Sequence, residues 1–479
     1  MPPLEMKLIG QVALVVLSGA LAQADDSSKE STLQTGKPNI VYIIADDLGY
    51  GDLSSYGQKG FETPHIDQIA KEGLKFTSHY SGSTVCAPSR SCLMTGQDSG
   101  NTYIRGNGKY QLRDEDFTVA ELLKKQGYKT GMVGKSCVAG NSSDAKAPHE
   151  SGFDYFWGTL SHKTAHWHYP SQVYSQGEAV KIEGNNGKTG STYIQDEYTK
   201  RALEFIDRSK EDPFFLLLSY SVPHASLQAP QESIDPFIGK FDNEKSYKGG
   251  HYLAAEHVIA THAAMITRMD SQVGEIVAKL KEHGLEENTL ICFTSDNGSH
   301  TEGGYHYRLL QSNGVLRGGK RDLYEGGIRV PFVVKWPKMI TAGRTSDHAS
   351  AFWDFLPTVC DIVGAEAPSY TQGISYLPLL KDEKQAEHEY LYWEFHGKDG
   401  RDGRDRRVAL RKGDWKIVRY NVNRKNEKSK YELYNIVEDI SEKNDLANKH
   451  PDKVAELLKI MKTARTESPE TIWNFKGEL

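Results

Sequence analysis

With 479 residues, 38% of them hydrophobic and 25% charged, the chain has the length for a large buried core and the composition of an ordinary soluble globular protein. A formal charge of −6 without a long basic stripe excludes the electrostatic footprint of a nucleic-acid binder. Five cysteines (Cys86, Cys92, Cys137, Cys292 and Cys360), none in a CxxC or Cys/His pattern, exclude a disulfide scaffold and leave any pairing open.

At the N-terminus, Lys7 precedes an apolar run from Leu8 to Leu21, and Ala22-Gln23-Ala24 gives a small-x-small cleavage pattern. Residues 1–24 therefore read as a signal peptide, with Met6 as an alternative start. The run is too short and wrongly bordered for a membrane span, and no later segment is long enough, so a secreted or periplasmic protein without a membrane span is expected. Residues 25–37 are polar and read as a disordered leader. Asn39–Ala45 is a continuous apolar run, the mark of a buried parallel strand, and it opens into Asp46-Asp47. Phe117–Gln126 has a helical pattern with Gly127 at its C-cap. Phe214–Ser219 is a second apolar run, opening into Pro223-His224, and Glu256–Lys281 is a long amphipathic helix. Leu290–Thr294 opens into Asp296-Asn297, and Val330–Trp336 is a fourth run. Strands alternating with helices predict an α/β sheet covered on both faces, in which polar residues just beyond strand C-termini converge on a ligand crevice. After Pro378 the pattern changes to short strands (Tyr390–Phe395, Arg407–Leu410, Trp415–Tyr420, Glu432–Tyr434) and a helix at Lys453–Lys462. The expected division is a catalytic α/β domain over 38–382 and a smaller α+β domain over 383–479. The run Lys398–Arg407, with Gly and Asp among its arginines, reads as a solvated loop.

Asp46, Asp47, Asp296 and Asn297 offer three carboxylates and one amide. Such oxygen ligands suit Ca²⁺ or Mg²⁺ and not zinc or copper. Taken singly, Asp-Asp or Asp-Asn after a strand reads as a turn. In Cys86-Ala87-Pro88-Ser89-Arg90, continuing to Leu93 and Thr95-Gly96, Pro88 suits the first turn of a helix. Cys86 would then sit at the helix's positive end, where an anion or thiolate is stabilised. A buried cysteine beside a helix start accounts for the same residues without chemistry.

That stretch, C-x-P-S-R-x-x-L-x-T-G, resembles the signature of type I, formylglycine-dependent sulfatases, an arylsulfatase-like family that includes carbohydrate sulfatases. The similarity runs from Pro38 to about Ala447 and includes Thr130-Gly-Met-Val-Gly-Lys135, Val222-Pro223-His224 and Leu316-Arg-Gly-Gly-Lys320. It implies an alkaline-phosphatase-like α/β fold and a sulfatase-maturing enzyme that oxidises Cys86 to formylglycine, whose hydrate attacks sulfur. It further implies Ca²⁺, with Mg²⁺ as the second candidate, held by Asp46, Asp47, Asp296, Asn297 and the modified Cys86. Arg90 would brace the nucleophile and the metal carboxylates, and Lys135 would be one of the fixed positive donors. Asp296 or a metal-bound group near it would take the nucleophile's proton, and Lys320 and His224 would protonate or stabilise the departing alcohol. The motifs Tyr324–Pro331, Gly413–Lys416 and Glu432–Asn435 look structural.

One position departs from the family pattern. Where G-K-W-H-L-G is common, this chain has Gly134-Lys135-Ser136-Cys137, so Cys137 stands in place of the histidine that helps expel sulfate. His166 is the expected substitute. His162, His166 and His168 also read as an ordinary loop or a zinc site. The motif order resembles branches acting on sulfated galactose or N-acetylgalactosamine, and His166, His168, His300 and His306 are the expected substrate-binding residues. Two alternatives accompany this reading: a phosphonate or phosphate monoester hydrolase of the same superfamily, and a non-catalytic protein that binds sulfated glycans, which Cys137 alone favours. Asn297-Gly298-Ser299 and Asn141-Ser142-Ser143 both match a glycosylation sequon, of which the second is the expected acceptor.

Overall fold

The computed structural model describes residues 36–141, 144, 147–397, 406–422 and 429–475. The signal peptide and most of the leader lie outside them. In chain order the strands of the large sheet are β1 (Asn39–Asp46), β2 (Leu74–Tyr80), β3 (Lys129–Lys135), β4 (Tyr155–Thr159), β5 (Gln172–Ser175), β6 (Glu178–Lys181), β7 (Phe214–Pro223), β8 (Thr289–Ser295), β9 (Arg329–Lys335), β10 (Arg344–Ser346) and β11 (Ser350–Ala351). Their order across the sheet is β10-β2-β9-β8-β1-β7-β3-β4-β5-β6, with β11 beside β2. β8, β1, β7, β3 and β4 run parallel, whereas β9 and β5 are antiparallel to their neighbours β8 and β4.

The pleat of β1 explains why it reads as an unbroken apolar run. Ile40, Tyr42 and Ile44 enter the core on one face, while Val41, Ile43 and Ala45 enter the core on the other. The helices Ile194–Ser209 and Val258–Glu282 cover the second face. Val119–Lys125 and Phe355–Val363 cover the first. The former starts at a capping box, Thr118 accepting from Glu121 N–H at 3.1 Å and Glu121 accepting from Thr118 N–H at 2.8 Å.

A second, antiparallel sheet contains β12 (Leu391–Phe395), β13 (Arg407–Lys412), β14 (Trp415–Tyr420) and β15 (Lys430–Asn435). One face packs Tyr392, Leu410, Ile417 and Leu433 against Val454, Leu457 and Met461 of the helix Pro451–Thr463. The other packs Trp393, Ala409 and Val418 against Tyr80, Val85, Cys92 and Trp353. Val85 and Cys92 flank the start and middle of the helix Cys86–Thr95, so the small sheet supports the element that carries the nucleophile candidate. The fold class is thus the expected one: a large mixed sheet flanked by helices, with a smaller C-terminal α+β part.

The expectation of a solvated loop over Lys398–Arg407 needs correction at its end. Residues 398–405 lie outside the described ones, but Arg406 is buried and bonds Ile472 and Asn474 carbonyls, and Arg407 pairs with Asp322 at 2.5 Å. All five cysteines are buried and unpaired. Among the described residues no helix is long and apolar enough to cross a membrane.

Candidate active site

Neighbouring parallel strands deliver their terminal residues to one edge of the sheet. β1 ends in Asp46 and turns at Asp47, whose φ of 66° is a left-handed conformation that aspartate adopts more readily than bulky residues. Asp47 N–H donates to Asp296 Oδ1 at 3.1 Å, and Asp47 Oδ1 accepts from Asn297 Nδ2 at 2.7 Å. Asp296 is anchored to β1 by its own N–H, which donates to the Ala45 carbonyl at 3.1 Å. β3 ends in Lys135, whose Nζ lies 2.5 Å from Asp46 Oδ2. All these side chains are buried.

Two oxygens in the cluster, Asp46 Oδ1 and Asn297 Oδ1, are buried without a hydrogen-bond partner. Such orphans are costly unless a ligand satisfies them, and in an all-oxygen donor set they fit a hard divalent cation. Asp46, Asp47, Cys86 and His224 also each place one ligand atom within 4.8 Å of the others. Burial opposes ionisation of Asp46, yet Lys135 and Arg90 hold it well below the usual carboxylate range. Burial and the Asp46 carboxylate push Asp296 up to about 7, against the pull of Arg90.

Cys86 is the first residue of the ten-residue helix Cys86–Thr95, which Gly96 closes in the left-handed conformation. Burial pushes its thiol up, so the helix terminus does not produce the thiolate that the sequence pattern suggests. Unmodified, Cys86 is a protonated thiol and a poor nucleophile. Arg90, one turn on and fully buried, places Nε 3.0 Å and Nη2 2.9 Å from Asp296 Oδ2, and Nη1 2.5 Å from Ser219 Oγ. Its Nη1 also lies 3.3 Å from Cys137 Sγ, so Cys137 packs against the arginine. Arg90→Ala is expected to destabilise the fold by about 3–5 kcal/mol, because it leaves buried carboxylates uncompensated. Denaturant unfolding measures this, and a change under 1 kcal/mol, about the ceiling for an exposed ion pair, would contradict it.

Lys320 Nζ donates to Asp47 Oδ2 at 2.7 Å, Glu302 Oε2 at 3.1 Å and His224 Nε2 at 2.9 Å, using all three ammonium protons. Burial opposes its charge, but Asp47 and Glu302 raise its pKa well above the usual lysine value. Burial and the nearby Lys320 hold His224 well below the usual histidine value. The two partners assign the neutral tautomer: Nδ1 carries the proton and donates to the Ala225 carbonyl, while Nε2 accepts from Lys320.

Glu302 was not expected from the sequence. It precedes Gly303 and Gly304, whose φ of 61° and 85° turn the chain back, and a Cβ at Gly303 would lie 2.9 Å from Ala225 Cβ. That close approach brings the loop beside His224. An acid before a Gly-Gly turn was the only signal available.

The four histidines expected at the substrate separate clearly. The His166 ring stacks on His224 with centroids 3.9 Å apart and planes 13° apart. His168 has both ring nitrogens occupied, by the His224 carbonyl at 3.1 Å and Gln195 Nε2 at 3.0 Å. His300 is likewise engaged, with the Pro223 carbonyl at 3.1 Å and Glu302 N–H at 3.1 Å. His306 lies against Tyr307 and accepts from Arg308 N–H at 3.2 Å. His168 and His300 thus hold the His224 loop in place and have no valence left for a substrate. The histidine beside Ser136 and Cys137 is His162, whose Nε2 is 3.1 Å from the Ser136 carbonyl. Among the described residues His162, His166 and His168 form no common metal-ligand group. Asn297 is fully buried, which closes its sequon to glycosylation, and Ser142 and Ser143 of the other sequon lie outside the described residues.

An acidic oxygen cluster beside a helix N-terminus, braced by an arginine and two buried lysines, suits the binding of an anionic ester. The chain belongs to the sulfatase family: the family model described as Sulfatase matches residues 38–365, and one described as N-sulphoglucosamine sulphohydrolase, C-terminal, matches 318–468. It is similar to the steryl-sulfatase of Rattus norvegicus (30% identical, covering 74% of this chain and 72% of that one). It is also similar to the N-acetylgalactosamine-6-O-sulfatase of Bacteroides thetaiotaomicron (27% identical, covering 91% and 95%). Among solved structures, Ps i-CgsB in complex with k-i-k-neocarrahexaose superposes with a TM-score of 0.75 at 28% identity, covering 92% of this chain and 94% of that one. The protein is a sulfuric ester hydrolase with the alkaline-phosphatase-like fold.

Proposed function

We propose that the enzyme releases sulfate from a sulfated carbohydrate, with galactose or N-acetylgalactosamine sulfate as the sugar class. Cys86 is the residue converted to formylglycine by a sulfatase-maturing enzyme, and Asp46, Asp47, Asp296, Asn297 and residue 86 hold Ca²⁺. The observation that carries this reading is the pair of orphaned oxygens, Asp46 Oδ1 and Asn297 Oδ1, in an oxygen cluster beside Cys86. The sugar class draws support from the N-acetylgalactosamine-6-O-sulfatase, which matches across nearly its whole length, and from the oligosaccharide complex of Ps i-CgsB. Residues 1–24 serve export to the periplasm or medium, and the domains divide as 38–382 and 383–479.

Asp46, Asp47, Asp296, Asn297 and residue 86 would hold a cation that would polarise the sulfate oxygens, and residue 86, once converted and hydrated, would supply an oxygen nucleophile for sulfur. Arg90 fixes the Asp296 carboxylate, which is assigned the uptake of the nucleophile's proton. Lys135 is a fixed positive donor for the negative charge that spreads over the sulfate oxygens, and such a donor is worth about a hundred- to a thousand-fold in rate. The Lys320 Nζ proton that neutral His224 Nε2 accepts is the one assigned to the departing sugar oxygen, which would replace His224 as its acceptor. His166 backs the His224 ring.

Peptide mass spectrometry over Cys86, paired with sulfate-release assays on monosulfated galactose and N-acetylgalactosamine, tests the proposal. A thiol-to-aldehyde mass loss with sugar desulfation is expected, and Cys86→Ala should fall to background. An unmodified thiol in fully active protein would overturn the formylglycine assignment. Release from aryl sulfates alone would overturn the sugar class.

A further inference from the structure

Arg321, next to Lys320, has no part in the reaction outlined above, yet its backbone is held in an unusual way. Its φ of 77° lies in the left-handed region, which a long side chain rarely occupies. The conformation is clamped from two sides. Its N–H donates to the Thr84 carbonyl at 3.0 Å, two residues before Cys86, and its carbonyl accepts from Arg407 Nη1 of β13 at 3.0 Å. A disfavoured conformation persists only where the surroundings over-determine it, which marks a side chain that has to stand in one place. That side chain meets Glu302, with Nη2 2.5 Å from Oε1, while the other Glu302 oxygen accepts from Lys320. Side-chain exposure rises from 2% at Lys320 through 11% at Glu302 to 46% at Arg321, so the three form a path from the buried site to solvent.

An apolar wall stands beside this path. The Tyr252 ring lies 6.0 Å from both His166 and His224. A Cβ at Gly303, next to Glu302, would lie 3.9 Å from Tyr252 Cβ, which places the tyrosine and the Glu302 turn at the same mouth.

We infer that Glu302 and Arg321 form the subsite that selects the sugar ring carrying the scissile sulfate. A ring hydroxyl next to the sulfated carbon donates to Glu302, a second one accepts from the Arg321 guanidinium, and the C–H face of the ring lies against Tyr252 and His166. This inference rests on the carbohydrate reading above and sharpens it. The Glu302–Arg321 pair has no net charge, so it suits neutral hydroxyls, and a second sulfate at that place would face the Glu302 carboxylate. The substrate class is therefore a sugar whose hydroxyls beside the scissile sulfate are free.

The test compares kcat/KM of wild type, Arg321→Ala and Arg321→Gly on three substrates. These are 4-methylumbelliferyl sulfate, the monosulfated sugar that wild type hydrolyses fastest, and that sugar with a second sulfate on the neighbouring hydroxyl. Glycine is unstrained at a φ of 77°, so Arg321→Gly removes the side chain without disturbing the loop. In both variants the loss on the monosulfated sugar should exceed the loss on the aryl sulfate by about tenfold or more, since a site built for a hydroxyl discriminates strongly through it. Wild type should also prefer the monosulfated to the disulfated sugar. Equal losses on both ester types, no loss on the sugar, or a preference for the disulfated sugar overturns the subsite and leaves the carbohydrate reading standing. A wild type that splits the aryl sulfate and no sugar sulfate overturns both.

Discussion

Lys320→Ala is expected to lower kcat on a sugar sulfate by about a hundred- to a thousand-fold, and to lower it far less on an aryl sulfate. The difference follows from the leaving group. A sugar alkoxide is much more basic than a phenolate, so its departure depends on a proton, and Lys320 Nζ is the buried ammonium placed to give one. Asp47 and Glu302 keep that ammonium charged, and its third hydrogen bond goes to a histidine that is itself neutral. Steady-state assays on both ester types measure the split. A loss of equal size on the two would move Lys320 from protonating the leaving oxygen to stabilising the sulfate oxygens.

Removal of divalent cations is expected to lower the thermal unfolding midpoint, with Ca²⁺ restoring it and Zn²⁺ failing to do so. Asp46, Asp47 and Asp296 gather three carboxylates in one buried cluster, which Arg90, Lys135 and Lys320 offset while two oxygens stay unpartnered. A cation that binds the native state alone stabilises it by about 2.7 kcal/mol at a hundred times its Kd. Calorimetry in EGTA and after Ca²⁺ addition measures the effect, and Asp47→Asn should shrink it by weakening the site's charge. A wild-type midpoint indifferent to Ca²⁺ would contradict the assignment.

The sequence disclosed β1, β7 and β8 because their two buried faces leave an unbroken apolar run. It disclosed Asp46, Asp296 and their neighbours because these residues follow directly. β3 was hidden by its glycines. Gly131 makes room for the Phe205 ring, and at Gly134, with a φ of 110°, a Cβ would lie 1.9 Å from the Ser219 carbonyl oxygen. Propensity cannot register a strand whose residues are chosen for what must fit beside them. β2 was hidden by its alternating Lys75 and Thr77, and the β5–β6 hairpin by its exposure. Within the site, Cys86, Lys135, His224 and Lys320 were legible through their motifs. Glu302 and Arg321 were not, because their places depend on contacts across the fold. His168 and His300 were misjudged because a histidine-rich loop does not reveal which ring nitrogens the protein itself occupies.

The loop that carries Lys320 is tied to the C-terminal sheet at several points. Arg317 reaches Tyr434 Oη at 2.8 Å and the Glu442 carbonyl at 2.7 Å, Arg407 holds Arg321 and Asp322, and Lys416 pairs with Glu325 at 2.8 Å. During synthesis, then, a nascent chain that has emerged only as far as residue 382 has Cys86 and the Asp46, Asp47 and Asp296 cluster but lacks the contacts that fix the Lys320 loop. Competence arrives late, with the last strands off the ribosome. Anyone trimming this enzyme to a minimal catalytic piece should find that the cut removes turnover, because the Lys320 loop loses its ties to the C-terminal sheet.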